Sequence, residues 1–418
     1  MKYVCTCYKC GFPKIFDEDK IPEVCPICEA PRSQFLLEPY TGNIEDRRIH
    51  VDPPEPDPNW DPYDVSFHAP KKFKEGTLHG RIRRLVLNYD DAEASRNFYR
   101  DVFGWDIIPT EHSDKDHPLM YCATGPGFPN WEPKYASFTY TYLKFRGADE
   151  TGMDPAFIVE VDDIDETLSR APQLGGAVLR DKYQVEGNTY AVLSDGEGNA
   201  FYIWQTPDDV NWASPECRND WKWVRKKQTL ADVPESPNPV PEYPGRPPKK
   251  FAKRGLHGRA RMLTIFYDDF RHFQKFYTEL FGWDFCKLPA SSSFIEAPGT
   301  EERPHLIIAT GPSYETYEAL VPGHVNIMAH YREKAAAEKT IFTSEVHMDE
   351  PVVYTAAKVY QYGGKVLNDI KPDEPGSSAF LEIMDPAGNR WSLWRCPNSR
   401  TWDEAETYYD IEADTEEG

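Results

Sequence analysis

Asn97-Phe98-Tyr99-Arg100-Asp101-Val102-Phe103-Gly104-Trp105 returns as Lys275-Phe276-Tyr277-Thr278-Glu279-Leu280-Phe281-Gly282-Trp283, and this pair decides the architecture. Working outward, Lys-Lys-Phe from Lys71 recurs at Lys249 and His79-Gly80-Arg81 at His257, each 178 residues on. Ala-Thr-Gly-Pro at Ala123 recurs at Ala309, Gly-Gly-x-Val-Leu at Gly175 recurs at Gly363, and Asp-x-x-Gly-Asn at Asp195 recurs at Asp385. Over these three the spacing drifts from 186 to 190, as small loop insertions in the second copy would produce. Signals matched in kind and order imply a duplicated unit, and two copies are too few for a solenoid. The expected units span 78–207 and 256–397.

Inside a copy, strand and helix alternate. Arg83, Leu85, Leu87 and Tyr89 share one face of a strand while Ile82, Arg84, Val86 and Asn88 share the other. Asp90 or Asp91 then caps a helix in which Ala94, Phe98 and Val102 recur at helical spacing, and Gly104 suits its left-handed exit. Strands are predicted from near Trp105, Leu119 and Ser137. The second half of the copy repeats the order: a strand over 157–161, a helix over 166–173 stopped by Gly175-Gly176, and strands at Val178, Tyr190 and Phe201. Each copy is therefore βαβββ written twice, and the fold class is α+β.

Paired βαβββ units carrying Phe-Gly-Trp early and Gly-Gly-x-Val-Leu plus Asp-x-x-Gly-Asn late resemble the vicinal oxygen chelate superfamily, the glyoxalase, bleomycin-resistance and extradiol-dioxygenase group. The resemblance covers about two thirds of the chain. It implies tandem cups of curled sheet with helices outside, each cup holding a small molecule or a divalent metal with substrate. Metal-using members carry ligands on the first, fifth and last strands of a cup. Those positions fall here on Arg84, Ala156 and Tyr202 in the first copy and on Met262, Ile341 and Ser392 in the second. None is a carboxylate or imidazole, and an arginine there repels a cation, so the family's usual metal is not expected. Strand parity instead lines the cups with Arg84, Tyr202 and Trp204, and with Met262, Ser392 and Trp394. Aromatic walls with a few polar groups suit a small planar or aromatic ligand. As an alternative, Trp204 and Trp394 only fill the core.

Glu160 and Glu345 hold equivalent places and, if buried in the cups, are candidate general bases. His330 lies on the second copy's fourth strand, with His324 and His347 close in sequence. Glu160, Glu345 and His330 form the catalytic set of an alternative reading, a lyase, isomerase or dioxygenase of the same superfamily. His79, His257, Arg81 and Arg259 read as parts of the turns leading into the first strands.

The N-terminal segment has a different logic. Cys7-x-x-Cys10-Gly11 and Cys25-Pro26-x-Cys28 make a tetrathiolate set suited to one zinc or iron. Residues 1–39 are too few for a sufficient apolar core, and structural zinc in comparable modules contributes about 10–16 kcal/mol. The segment resembles rubredoxin, above all the rubredoxin-like end of rubrerythrins. It departs from that pattern at Cys5, which competes with Cys7, at Val24 and at Glu29. Iron would imply electron exchange with a partner protein; zinc would imply a staple and a structural or interaction role.

Residues 40–77 and 208–255 are proline-rich and read as linkers, and 398–418 is an acidic tail. A net charge of −22 argues against nucleic-acid and anionic-membrane partners and favours a basic redox partner. The chain shows no leader-like start or long apolar run, and its other five cysteines are scattered, so a cytoplasmic protein is expected.

Overall fold

The computed structural model describes residues 2–7, 13–24, 31–39, 61, 63–65, 71, 77–110, 114–124, 140–146, 151, 153–185, 187–206, 258–287, 303–311, 326–332, 341–346, 352–370 and 379–395. A three-stranded antiparallel sheet comes first, with β1 (Lys2–Cys7) between β2 (Pro13–Asp17) and β3 (Phe35–Pro39).

Two eight-stranded sheets follow. The first contains β4 (Ile82–Tyr89), β5 (Asp106–Pro109), β6 (Met120–Ala123), β7 (Tyr140–Phe145), β8 (Phe157–Val161), β9 (Ala177–Val185), β10 (Asn188–Ser194) and β11 (Ala200–Gln205), ordered β5-β6-β7-β4-β8-β11-β10-β9. The second contains β12 (Arg259–Tyr267), β13 (Asp284–Lys287), β14 (Leu306–Ala309), β15 (Asn326–Tyr331), β16 (Ile341–Val346), β17 (Lys365–Val366), β18 (Ala379–Met384) and β19 (Arg390–Arg395). Its order, β13-β14-β15-β12-β16-β19-β18-β17, is the same pattern. In each sheet two four-stranded halves meet at one antiparallel seam, β4 with β8 and β12 with β16.

The helices form where sequence chemistry places them. In α1 (Ala92–Phe103) the Asp91 carboxylate accepts from the amides of Glu93 and Ala94, and Gly104 ends the helix at φ 71°. Asp269 and Gly282 do the same for α3 (Phe270–Phe281). The other two are α2 (Ile164–Arg170), extended by a 3₁₀ turn that stops at Gly175, and α4 (Val352–Gln361).

Each long helix covers the other half's sheet. From α1, Tyr99 and Phe103 lie 5.7 and 5.3 Å from the Trp391 ring on β19, while from α3, Tyr277 and Phe281 lie 6.0 and 5.7 Å from Phe201 on β11. The outer faces of both sheets thereby merge into one core. Each large ring fully withdrawn from water there contributes roughly 1.5–3 kcal/mol.

The junction is doubled about a pseudo-twofold axis. Trp105 Nε1 donates to the Gly258 carbonyl at 2.5 Å, and Trp283 Nε1 to that of Gly80 at 2.6 Å. The Asp195 carboxylate accepts from Asn199 and from Tyr277 of the opposite half, and Asp385 accepts from Asn389 and Tyr99. The Asn199 and Asn389 side chains bond the backbones of Phe266 and Asn88 across the junction. The Asp-x-x-Gly-Asn landmark is thus a clasp between halves. His79 joins it: Nδ1 accepts from the Asp162 amide, so Nε2 carries the proton donated to Leu280 O at 2.8 Å.

Of the described parts of 40–77, Tyr63, Val65 and Lys71 bond the second half, while Thr77 bonds Asp162 of the first. Tyr63 donates to Glu279 at 2.6 Å, the Val65 carbonyl accepts from the Lys287 amide at 2.9 Å, and the Lys71 amide donates to the buried Asp284 carboxylate at 2.8 Å.

Candidate functional site

The face of each sheet away from the helices forms the cup. In the first, β7, β4, β8 and β11 align Tyr140, Arg84, Ile158 and Tyr202 in one cross-strand row. In the second, Asn326, Met262, Thr343 and Ser392 align. This corrects the fifth-strand count. The residues in register with the other two positions are Ile158 and Thr343, one strand repeat beyond Ala156 and Ile341. Ala156 belongs to the helix-side core. Each seam also carries a one-residue slip, between Ile82 and Arg84 and between Ala260 and Met262. Neither corrected row offers a carboxylate or imidazole, so neither fits the family's usual metal.

Arg84 occupies an aromatic setting. Its guanidinium carbon lies 4.8 Å from the centroid of Tyr142 and 4.9 Å from that of Trp204. Tyr190 stacks on Trp204 at 6.2 Å and meets an Arg84 N–H at 3.4 Å, and the Trp204 indole donates to Asn188 at 3.2 Å. Beside them, Lys144 Nζ lies 2.7 Å from the Tyr202 hydroxyl and 4.5 Å from its ring centroid. Val86, Ile158, Val192, Tyr202 and Trp204 form a buried cluster of their own, separate from the helix-side core. Trp204 therefore packs inside the cup.

The second cup has the same frame and different walls. Register equates Arg84 with Met262, Tyr142 with Met328, and Lys144 with His330, since Lys144 pairs with Asn88 and His330 with Phe266. Met262 is buried and Ser392 half-buried. The His330 ring meets that of His305 edge-on, with centroids 4.5 Å apart. Burial, and secondarily the neighbouring His305, push the His330 pKa down to about 3, so it is neutral at physiological pH. The Trp394 and Glu345 backbones pair with each other, and that of Glu345 also with Arg259; both side chains lie outside the described residues, as do His324 and His347.

Glu160 is fully buried on the cup side of β8, where the Arg81 Nε donates to its carboxylate at 2.6 Å. Its carboxylate is thus committed to a buried ion pair with Arg81. Of the residues expected to act together, the fold groups Arg84, Tyr202 and Trp204 in one cup, and Met262 and Ser392 in one row of the other. Glu160 and His330 fall in different cups. Sequence reasoning missed Lys144, Tyr142 and Tyr190, although the alternation Tyr140, Tyr142, Lys144 carried the signal.

Cys10, Cys25 and Cys28 and the Cys7 side chain lie outside the described residues. The neighbouring backbone is informative: Thr6 pairs with Pro13 and Val24 with Pro31, so antiparallel contacts close around both cysteine loops. Cys5 is buried, which raises its thiol pKa. Among the described residues no group of three or more His, Cys, Asp or Glu is placed to hold a metal ion, and no helix is long and apolar enough to cross a membrane.

Residues 84–204 match the family described as Glyoxalase-like domain. These limits run from Arg84 on β4 to Trp204 on β11, so a glyoxalase-like domain coincides with the first sheet. A glyoxylase-like domain-containing protein from Didymella fabae is 26% identical over 132 residues, covering 28% of this chain and 95% of that protein. Among solved structures, the Mn(II)-bound glyoxalase from Novosphingobium aromaticivorans aligns at 10% identity and a TM-score of 0.41, over 76% of this chain and 82% of that one. The 2,3-dioxygenase LapB from Pseudomonas sp. KL28 aligns at 13% identity and a TM-score of 0.41, over 78% and 96%.

Proposed function

We propose that this is a cytoplasmic small-molecule-binding protein of vicinal oxygen chelate type, two tandem units behind a tetrathiolate head, with a planar or aromatic ligand seated in the first cup. The observation that carries this is the enclosure of Arg84 by Tyr142, Trp204 and Tyr190 on the inner face of a glyoxalase-like sheet. Flat rings and a guanidinium present stacking surfaces, which suit a planar molecule better than a hydrated ion. The cups need no metal in the family's usual position. Cys7, Cys10, Cys25 and Cys28 are a donor set for one iron or zinc, supported by the strand pairs that close around their loops. Iron would supply one-electron exchange with a partner protein, and zinc would supply stability alone.

A thermal-shift screen of aromatic metabolites tests the cup. Stabilisation by a planar compound, lost in Trp204→Ala, is expected; no response to any aromatic compound would overturn the reading. Elemental analysis tests the head. One iron per chain with thiolate-to-iron absorption that bleaches on reduction is expected of the redox form, whereas one zinc in a colourless protein removes electron transfer.

A second reading, an enzyme of the same superfamily, is favoured by one observation. The His330 and His305 rings meet edge-on in the second cup, centroids 4.5 Å apart, a pair of imidazoles between which a proton could pass once a ligand relieves the burial that holds the His330 pKa at about 3. Turnover that survives His330→Gln would eliminate it.

A further inference from the structure

Resting on the binding reading above, we infer that the first cup selects an anionic planar ligand, an aryl carboxylate or a molecule of like charge and shape, with Arg84 and Lys144 as its charge-recognition residues. In the second cup the same frame carries an uncharged methionine at the Arg84 position and a histidine at the Lys144 position, both in matching register. Two cations on the inner face are therefore no requirement of the fold. Both stand half-buried among the rings of Tyr142, Trp204 and Tyr202, where an anion entering the cup would meet them.

The geometry also fits. Rings lie 4.8 and 4.9 Å from the Arg84 guanidinium carbon, and ring stacking employs the faces of that planar group, while its N–H donors project in the plane. A carboxylate takes such donors in pairs, and an ammonium beside it adds a point charge. Lys144 and Arg84 lie on adjacent parallel strands, two strand repeats apart in register, on either side of Tyr142 and Val86. A ligand lying along that wall would place its ring against Tyr142, Tyr202 and Trp204 and its anionic end at one of the two cations. The chain as a whole carries −22, so attraction for an anion has to be local to the cup.

The test is calorimetric titration of the full-length protein with 2-naphthoate and its neutral isostere 2-naphthamide. Naphthoate is expected to bind at least about tenfold more tightly, a difference of about 1.4 kcal/mol. Arg84→Gln is expected to bring the ratio close to one, Arg84→Lys to keep part of it, and Lys144→Gln to reduce it less. Lys182→Gln removes a surface cation paired with Asp165 and should leave the ratio unchanged, excluding a general charge effect. Circular dichroism checks folding, and Arg84→Lys carries the test if Arg84→Gln does not fold. Equal binding of the two compounds would overturn the charge inference while leaving the planar-ligand reading intact. A naphthoate preference indifferent to Arg84 and Lys144 would overturn the assignment of those residues. No binding of either compound at millimolar concentration would remove both readings.

Discussion

The helix sides of the two sheets and their cup sides have had different fates. Across the junction the same chemistry occurs twice: Tyr99 and Tyr277 on Asp385 and Asp195, Asn389 and Asn199 on the opposite backbones, Trp105 and Trp283 on Gly258 and Gly80. Along the cup strands Trp204 and Trp394 repeat beside Glu160 and Glu345, but the other wall positions do not: Arg84 stands against Met262, Tyr202 against Ser392 and Lys144 against His330. Each junction residue satisfies a buried polar group of the other half, so changing one leaves its partner unsatisfied. Cup-wall side chains such as Arg84 and Lys144 bond neighbours in their own sheet, so a cup wall can change alone.

The largest effects should come from breaking the repeated side. Gly80 and Gly258 have φ of 85° and 77°, and a Cβ at either would run into the carbonyl of Phe281 or Phe103. Gly80→Ala and Gly258→Ala should each cost on the order of 4 kcal/mol in denaturant unfolding, through clash and backbone strain together. Gly187, at φ 81° with open space around it, isolates strain alone, and Gly187→Ala should cost only about 1 kcal/mol. Equal losses at all three would mean that the close approach between halves is not what holds the junction.

Next in size is an exchange between the cups. His330→Lys puts an ammonium at a half-buried position where burial and the neighbouring His305 already disfavour an imidazolium, and should cost about 2 kcal/mol. Lys144→His, at a half-buried position, should cost less than about 1 kcal/mol. Comparable losses would show that the two cups differ in residue but not in polarity. A smaller effect, about 1 kcal/mol, is expected when Tyr277→Phe removes one hydroxyl from a clasp carboxylate that keeps its other donors, and about 2 kcal/mol for Tyr99→Phe, which also takes the acceptor from the Trp391 indole.

What could be read from the sequence follows the same division. The helices, their aspartate caps and glycine exits, and the strand order within each copy were legible, because duplicated local signals constrain one another. The meaning of Asp-x-x-Gly-Asn was not: its side chains bond residues about 70 to 300 positions away, which no local pattern reports. The same holds for Arg81 beneath Glu160, 79 positions apart. Counting along β8 failed at Ala156 because cross-strand register belongs to two strands and is invisible in either alone. Arg84, Tyr202 and Trp204 were legible as a set, since parity places them on one face. Lys144 was overlooked because a lone lysine at a strand end is ordinarily a solvated residue.

The finest contrast between junction and cup is in their response to pH, and the two should slope in opposite directions. Burial raises the pKa of Asp195 and Asp385 from 3.8 to about 6, even though each carboxylate accepts hydrogen bonds from an asparagine and a tyrosine. The folded state then holds these protons more tightly than the unfolded chain, so their contribution is fully present below about pH 4 and is lost as pH rises through 6. His330 is the reverse case, lowered from 6.5 to about 3. The unfolded chain takes up that proton first, so the contribution of the neutral ring is present above about pH 6.5 and drains away as pH falls towards 3. The stability of the wild type minus that of Asp385→Asn should therefore grow from pH 7 to pH 4, by roughly 1 kcal/mol per unit within the window, while wild type minus His330→Phe should shrink. Denaturant midpoints at half-unit steps separate the two curves. If both lean the same way, the hydrogen bonds from Asn389 and Tyr99 outweigh burial and hold the Asp385 carboxylate ionised.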